Sequence, residues 1–138
     1  MPAVYVNYVA VLVAAIVQMG VGMLWYGPLF GKAWMKLVGL TKKDTEKAMK
    51  EGMAKTYFIS FLGALVSAYV LAYLVGAFNA ASAIEGATIG FWAWTGFVAT
   101  TQLTGVLWEG KTWNLYYLDV AYQLVALLLM GGLLAAWV

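Results

Sequence analysis

With 64% of its 138 residues apolar and only 10% charged, the chain falls well short of the charge, about 25%, that covers a soluble domain. It holds no Cys, His or Arg, which removes disulfides, thiolate nucleophiles, imidazole ligands for haem or zinc, catalytic triads and bidentate phosphate forks. The expectation is a single all-α membrane domain over residues 1–138, not an enzyme, with no cofactor, no metal and no nucleic-acid partner.

Four apolar runs follow one another: about Val4 to Gly27, Tyr57 to Phe78, Ala83 to Trp108, and Trp113 to Trp137. Each reaches the roughly 20 residues that cross about 30 Å of hydrocarbon at 1.5 Å per residue. These predict a bundle of four transmembrane helices in two hairpins. The first run lacks a basic leader and outlasts a signal-peptide core, so it reads as a retained span.

The first run ends in Gly22-Met23-Leu24-Trp25-Tyr26-Gly27-Pro28-Leu29-Phe30-Gly31-Lys32-Ala33-Trp34. An aromatic pair, a Gly-Pro break and a lysine in that order mark a helix leaving hydrocarbon for a basic aqueous side. Seven lysines lie between Pro28 and Thr56, Lys111 joins them in the third connection, and the second connection, 79–82, has none. The positive-inside rule then puts the 28–56 and 109–112 connections in the cytoplasm and both termini outside, in a multi-pass cell (inner) membrane protein.

Within the basic connection Phe30, Trp34, Leu37 and Val38 recur at helical spacing opposite Lys32 and Lys36, which predicts an amphipathic interfacial helix ended by Gly39. Thr41 and Asp44 have the spacing of a helix cap. The pairs Glu46–Lys50, Lys47–Glu51 and Glu51–Lys55 predict a helix that runs straight into the second span. The expected partners here are the bilayer and, over Lys32 to Lys55, its anionic headgroups. Ser82 and Glu85 form a capping pattern at the start of the third run, where a carboxylate suits the helix dipole.

The phrase at the end of the first run returns as Gly105-Val106-Leu107-Trp108-Glu109-Gly110-Lys111-Thr112-Trp113. One reading is a parallel internal repeat of two hairpins. The other is convergence, since helices ending at an interface tend to finish in Trp and Gly. In either case the two helix ends are expected to be alike.

Polar groups inside a membrane are costly and worth locating. Gln18, Ser60, Gln102 and Asp119 all fall about 8–10 Å inside the basic interface, and Gln123 lies one turn beyond Asp119. They form a candidate polar layer with Asp119 as its acid. In a functional reading Asp119 titrates or binds a cation, as in a small proton- or cation-coupled carrier or channel. In a structural reading the glutamines bridge helices and Asp119 accepts from Tyr116, Tyr122, a lysine or water, which contributes about 0.6 kcal/mol per contact. Small residues mark candidate close-packing faces at Gly22, Gly86, Gly90 and Gly131. Trp92 and Trp94 sit well inside the third run, as core filling or as a ligand contact.

The stretch Asn7 to Gly39, with its Leu-Trp-Tyr-Gly-Pro-Leu-Phe-Gly-Lys-Ala-Trp-Met-Lys phrase, resembles the family of small membrane proteins catalogued as domain of unknown function 1761. Leu107 to Lys111 and the Tyr122-Gln123-Leu124-Val125 run share that resemblance, which extends over essentially the whole chain. It implies a four-helix prokaryotic membrane protein and supplies no activity or site residues. The leading expectation is a non-enzymatic protein that assembles through glycine-rich helix faces, as a homo-oligomer or as a subunit of a larger membrane complex. The alternative is the carrier built on Asp119.

Overall fold

The computed structural model describes residues 4–137, apart from the side chains of Lys42, Thr45 and Met49. Lys42's share in the basic face therefore lies outside the described residues. The chain is all-α, with no strand among the described residues.

Helix α1 (Tyr8–Leu24) starts at Asn7, whose side chain accepts from the N–H groups of Val9 and Ala10. It runs into a widened π turn, Trp25–Leu29, and the cause is local. Pro28 has no N–H to give, Gly27 takes a non-helical conformation (φ −107°, ψ −105°), and Phe30 N–H reaches back five residues to the Trp25 carbonyl at 2.8 Å. The turn redirects the chain into α2 (Gly31–Val38), an amphipathic helix closed by Gly39 in the left-handed region at φ 76°.

Helix α3 (Lys42–Glu51) begins with a reciprocal cap, Thr41 N–H to Asp44 Oδ2 at 3.0 Å and Asp44 N–H to Thr41 Oγ1 at 3.2 Å. These bonds, the Thr41 backbone bond first, hold the Asp44 carboxyl below the usual carboxylate range. The expectation of one helix running into the second span is corrected here. Gly52 sits at φ 92° and breaks the chain before α4 (Ala54–Ala77), so Glu51 and Lys55 are not one turn apart on a common helix.

Helix α5 (Ala83–Trp94) carries the expected start: Ser82 Oγ accepts from Glu85 N–H at 3.2 Å, and Glu85 Oε2 accepts from Ala81 N–H at 2.7 Å. The third apolar run is not one regular helix. A π turn, Thr95–Ala99, and a tight turn at 100–102 separate α5 from α6 (Leu103–Trp108). Threonine hydroxyls crowd the interruption. Thr95 donates to Phe91 O at 2.9 Å, Thr100 to Gly96 O at 2.6 Å and Thr101 to Phe97 O at 2.7 Å, and such back-bonding bends helices. The last helix, α7 (Trp113–Ala136), is capped by Thr112 and is continuous.

Among the described residues three helical segments are thus long and apolar enough to cross a membrane, Tyr8–Leu29, Ala54–Ala77 and Trp113–Ala136, where the sequence led us to expect four. Helix α7 is the centre. It packs most extensively on α5, and α1 and α4 meet it and each other on its other flank, while α4 and α5 barely touch. The core between α1, α4 and α7 is built on small side chains: Ala10 and Ala14 on α1, Ala64, Ala68 and Ala72 on α4, Ala126 and Ala135 on α7. Spacing of four puts the α1 pair and the α4 trio each on one stripe, and in lipid it is close backbone approach, not apolar burial, that holds helices together. Met130 fills the centre and is 0% exposed.

Candidate functional site

The polar contacts between the apolar helices converge on the first half of α7. The widened turn after α1 aims two successive aromatic side chains at it. Trp25 Nε1–H donates to the Leu118 carbonyl at 3.0 Å, and the Tyr26 hydroxyl donates to Asp119 Oδ1 at 2.7 Å. From the other side, Trp94 Nε1–H donates to the Val120 carbonyl at 2.8 Å. Carbonyls two residues apart point roughly 200° from each other around a helix, so the two tryptophans clasp α7 from opposite flanks. Helix carbonyls have a second lone pair free for such a bond, so the helix's own hydrogen bonds stay intact.

Two tyrosines of α7 complete the belt. Tyr116 O–H donates to Ala99 O at 2.6 Å, inside the interrupted third run, and Tyr122 O–H donates to Gln18 O at 3.1 Å on α1. Tyr26 packs edge-on against both Tyr122 (centroids 5.4 Å) and Trp34 of α2 (5.6 Å), which ties α2 to the cluster. The expected donors to Asp119 are therefore corrected: Tyr116 and Tyr122 bond backbone carbonyls, and Tyr26 is the donor.

The five residues of the expected polar layer do not meet as one site. Asp119 and Gln18 both belong to the belt, but Gln18 enters through its backbone carbonyl. Gln123 is half-buried on α7 one turn from Asp119 and has no hydrogen-bond partner among the described residues. Ser60 on α4 and Gln102 in the 100–102 turn are exposed. Among the described residues no three His, Cys, Asp or Glu side chains gather in a way that could hold a metal ion.

The glycines lie elsewhere. A Cβ built on Gly86 would land on the Gly131 carbonyl oxygen, one on Gly131 would land on the Gly86 carbonyl, and one on Gly90 would land on Leu127 O. This is backbone-on-backbone packing of α5 against α7 within the chain. Gly22 faces the Tyr122 ring, with Oη 3.1 Å from where its Cβ would be.

The repeated phrase does not build two like helix ends, which corrects that expectation. Trp25 is bonded to α7, whereas Trp108 is 84% exposed. Gly105 instead meets its own downstream lysine: Lys111 N–H closes on Gly105 O at 3.0 Å over Gly110 at φ 75°, and Lys111 pairs with Glu109 at 3.6 Å. The four residues missing from the second copy, the counterparts of Pro28 to Gly31, are those that turn the first copy back toward α7.

The sequence reading missed Trp25, Tyr26 and Trp94 as anchors. Their signal was present as aromatic groups with a polar tip inside or at the edge of a span, which seek a partner when withdrawn from water. The belt holds helices in register and places one carboxyl on the long apolar helix α7 with a hydroxyl donor already on it. No curated protein and no solved structure matches the chain. The family model described as Protein of unknown function (DUF1761) matches residues 9–135, so this chain belongs to that family.

Proposed function

We propose that the chain is a non-enzymatic, four-span integral membrane protein that works as a homo-oligomer, with the Tyr26–Asp119 pair as a fixed internal latch. The fourth span is the interrupted third run. Ala83 to Trp108 extends about 39 Å at 1.5 Å per residue, more than the roughly 30 Å of hydrocarbon. Its interruption is made of π and tight helical turns whose backbone stays bonded, Gln102 N–H to Val98 O at 3.0 Å and Gly105 N–H to Gln102 O at 3.1 Å, so a span through it leaves those groups satisfied in hydrocarbon. The basic 28–56 and 109–112 connections then lie on the cytoplasmic side, with both termini outside.

The observation that carries the oligomer is Trp92. It is 65% exposed, about 14 Å along α5 from Ala83, and its indole N–H has no acceptor among the described residues. Lipid tails offer none at that depth, so the donor is costly until another protein surface supplies one. Trp92 borders a groove of about 680 Å³ between α4 and α5, with Phe78, Ile89 and Phe97 on its walls. A helix of a second copy lying there would cover the aromatic face and offer Trp92 an acceptor. The glycine faces are used inside the chain and do not serve this contact.

The chain has no cysteine, so single cysteines report cleanly. Thr88→Cys, exposed on the same groove one turn before Trp92, should give a covalent dimer with a short bifunctional thiol reagent in isolated membranes, and Leu12→Cys, exposed on α1, should not. Dimer from neither position, or from both equally, contradicts a homo-oligomer through this face.

A further inference from the structure

A second groove, of about 790 Å³, lies on the Trp25 side of α2, between that helix and the start of α7. Its volume falls within the roughly 300–1,000 Å³ of small-molecule sites. Trp25, Phe30, Leu37, Leu118 and Ala121 make its wall apolar. The wall is held in place: Trp25 is bonded to the Leu118 carbonyl at 3.0 Å and packs at a tilt against Phe30, with centroids 4.6 Å apart.

The rim is polar and one-signed. Lys36, Thr112 and Asn114 line it and no acidic residue does. Lys32 stands one turn before Lys36 on the same side of α2. Among the described residues the ion pair formed is Lys111–Glu109, which leaves Lys36 without an acidic partner. A long apolar wall ending in an unpaired ammonium at the basic interface complements a molecule with a hydrocarbon tail and an anionic head.

We infer that this groove holds one anionic phospholipid, with its phosphate against Lys36 and an acyl chain along Trp25, Leu118 and Ala121. The inference rests on the membrane placement proposed above. It goes beyond diffuse attraction of headgroups to the lysine-rich connection, because the groove adds tail contacts that persist when the bilayer is removed. The lipid also fills the space between α2 and α7, so it braces the amphipathic helix against the bundle.

The test uses the full chain exchanged into mixed micelles of phosphatidylglycerol and phosphatidylcholine with identical tails, followed by native mass spectrometry. One phosphatidylglycerol per chain should be retained in preference to phosphatidylcholine. Lys36→Gln should lower that retention about fivefold, the effect of one lysine near an anionic surface. Ala121→Phe should expel the lipid with Lys36 still in place. Lys43→Gln, on α3 away from the groove, should retain it. Unchanged retention in Lys36→Gln, equal retention of both lipids, or an equal loss in Lys43→Gln overturns the site. A chain that washes off membranes in alkaline carbonate overturns the membrane placement itself, whereas lost selectivity in a membrane-retained chain overturns the groove alone.

Discussion

Gly86→Leu is expected to drive α5 away from α7 and abolish a compact, monodisperse protein. The reason is reciprocal. Gly86 and Gly131 each lie under the other's carbonyl, and Gly90 lies under that of Leu127, so any side chain here meets backbone that cannot rotate aside. Overpacking a well-filled site typically costs about 1–3 kcal/mol, and three consecutive backbone contacts place this one at the top of that range or above it. Even Gly131→Ala should lower the unfolding temperature clearly. Gly96→Ala is the internal control, because nothing stands within 4 Å of its Cβ direction, and replacing an unconstrained helical glycine should be neutral or gain up to about 1 kcal/mol. Thermal unfolding and size-exclusion profiles in detergent decide it. Equal behaviour of Gly86→Leu and Gly96→Ala would mean that α5 does not approach α7 this closely.

The Tyr26–Asp119 latch leads to the second large expectation. Tyr26→Phe leaves the Asp119 carboxyl without its donor, and Asp119→Leu leaves the Tyr26 hydroxyl without its acceptor. A stranded polar group costs about 1–3 kcal/mol, although polar pairs in membrane proteins have coupled by about 0.6 kcal/mol on average and about 1.7 at most. Each single change should therefore destabilise by about 1–2 kcal/mol. The double change, which strands nothing, should be less harmful than the sum. Asp119→Asn keeps an acceptor for Tyr26 and should be the mildest of the set. In proteoliposomes it should leave proton and cation leakage unaltered, because a latch carries no flux. Additive losses in the double variant would remove the pair as a unit, and flux that disappears in a folded Asp119→Asn protein would restore Asp119 as a coupling site.

What was legible in the sequence was local. Gly39 stopping α2, Thr41 with Asp44 starting α3, and Ser82 with Glu85 starting α5 are each decided within four residues, where side-chain reach and backbone geometry leave few choices. The apolar runs give α1, α4 and α7 by length alone. The breaks were harder to see. Gly52 ends α3 by taking a left-handed conformation, against charge pairs that argue for continuity. The interruption at 95–102 is crowded by back-bonding Thr95, Thr100 and Thr101, whose hydroxyls are too few among apolar neighbours to stop the run reading as one span. Longest in reach were Tyr122 to Gln18, across 104 residues, and Tyr26 to Asp119 and Trp25 to Leu118, each across 93. Helices apolar all round have no periodicity from which a facing partner can be read. For the same reason Trp92 and Trp94 looked equivalent, yet one lies open and the other is bonded to α7.

The proposed architecture depends on whether residues 83–108 cross the membrane despite their interruption. Single cysteines at Lys43, Ala81 and Glu109 test this directly when intact cells are treated with a membrane-impermeant thiol reagent. Four spans predict that Ala81→Cys is labelled at once and that Lys43→Cys and Glu109→Cys react only after the cells are opened. Ala81→Cys and Glu109→Cys reacting alike, from the same side, would mean that the third run does not cross and would contradict the account.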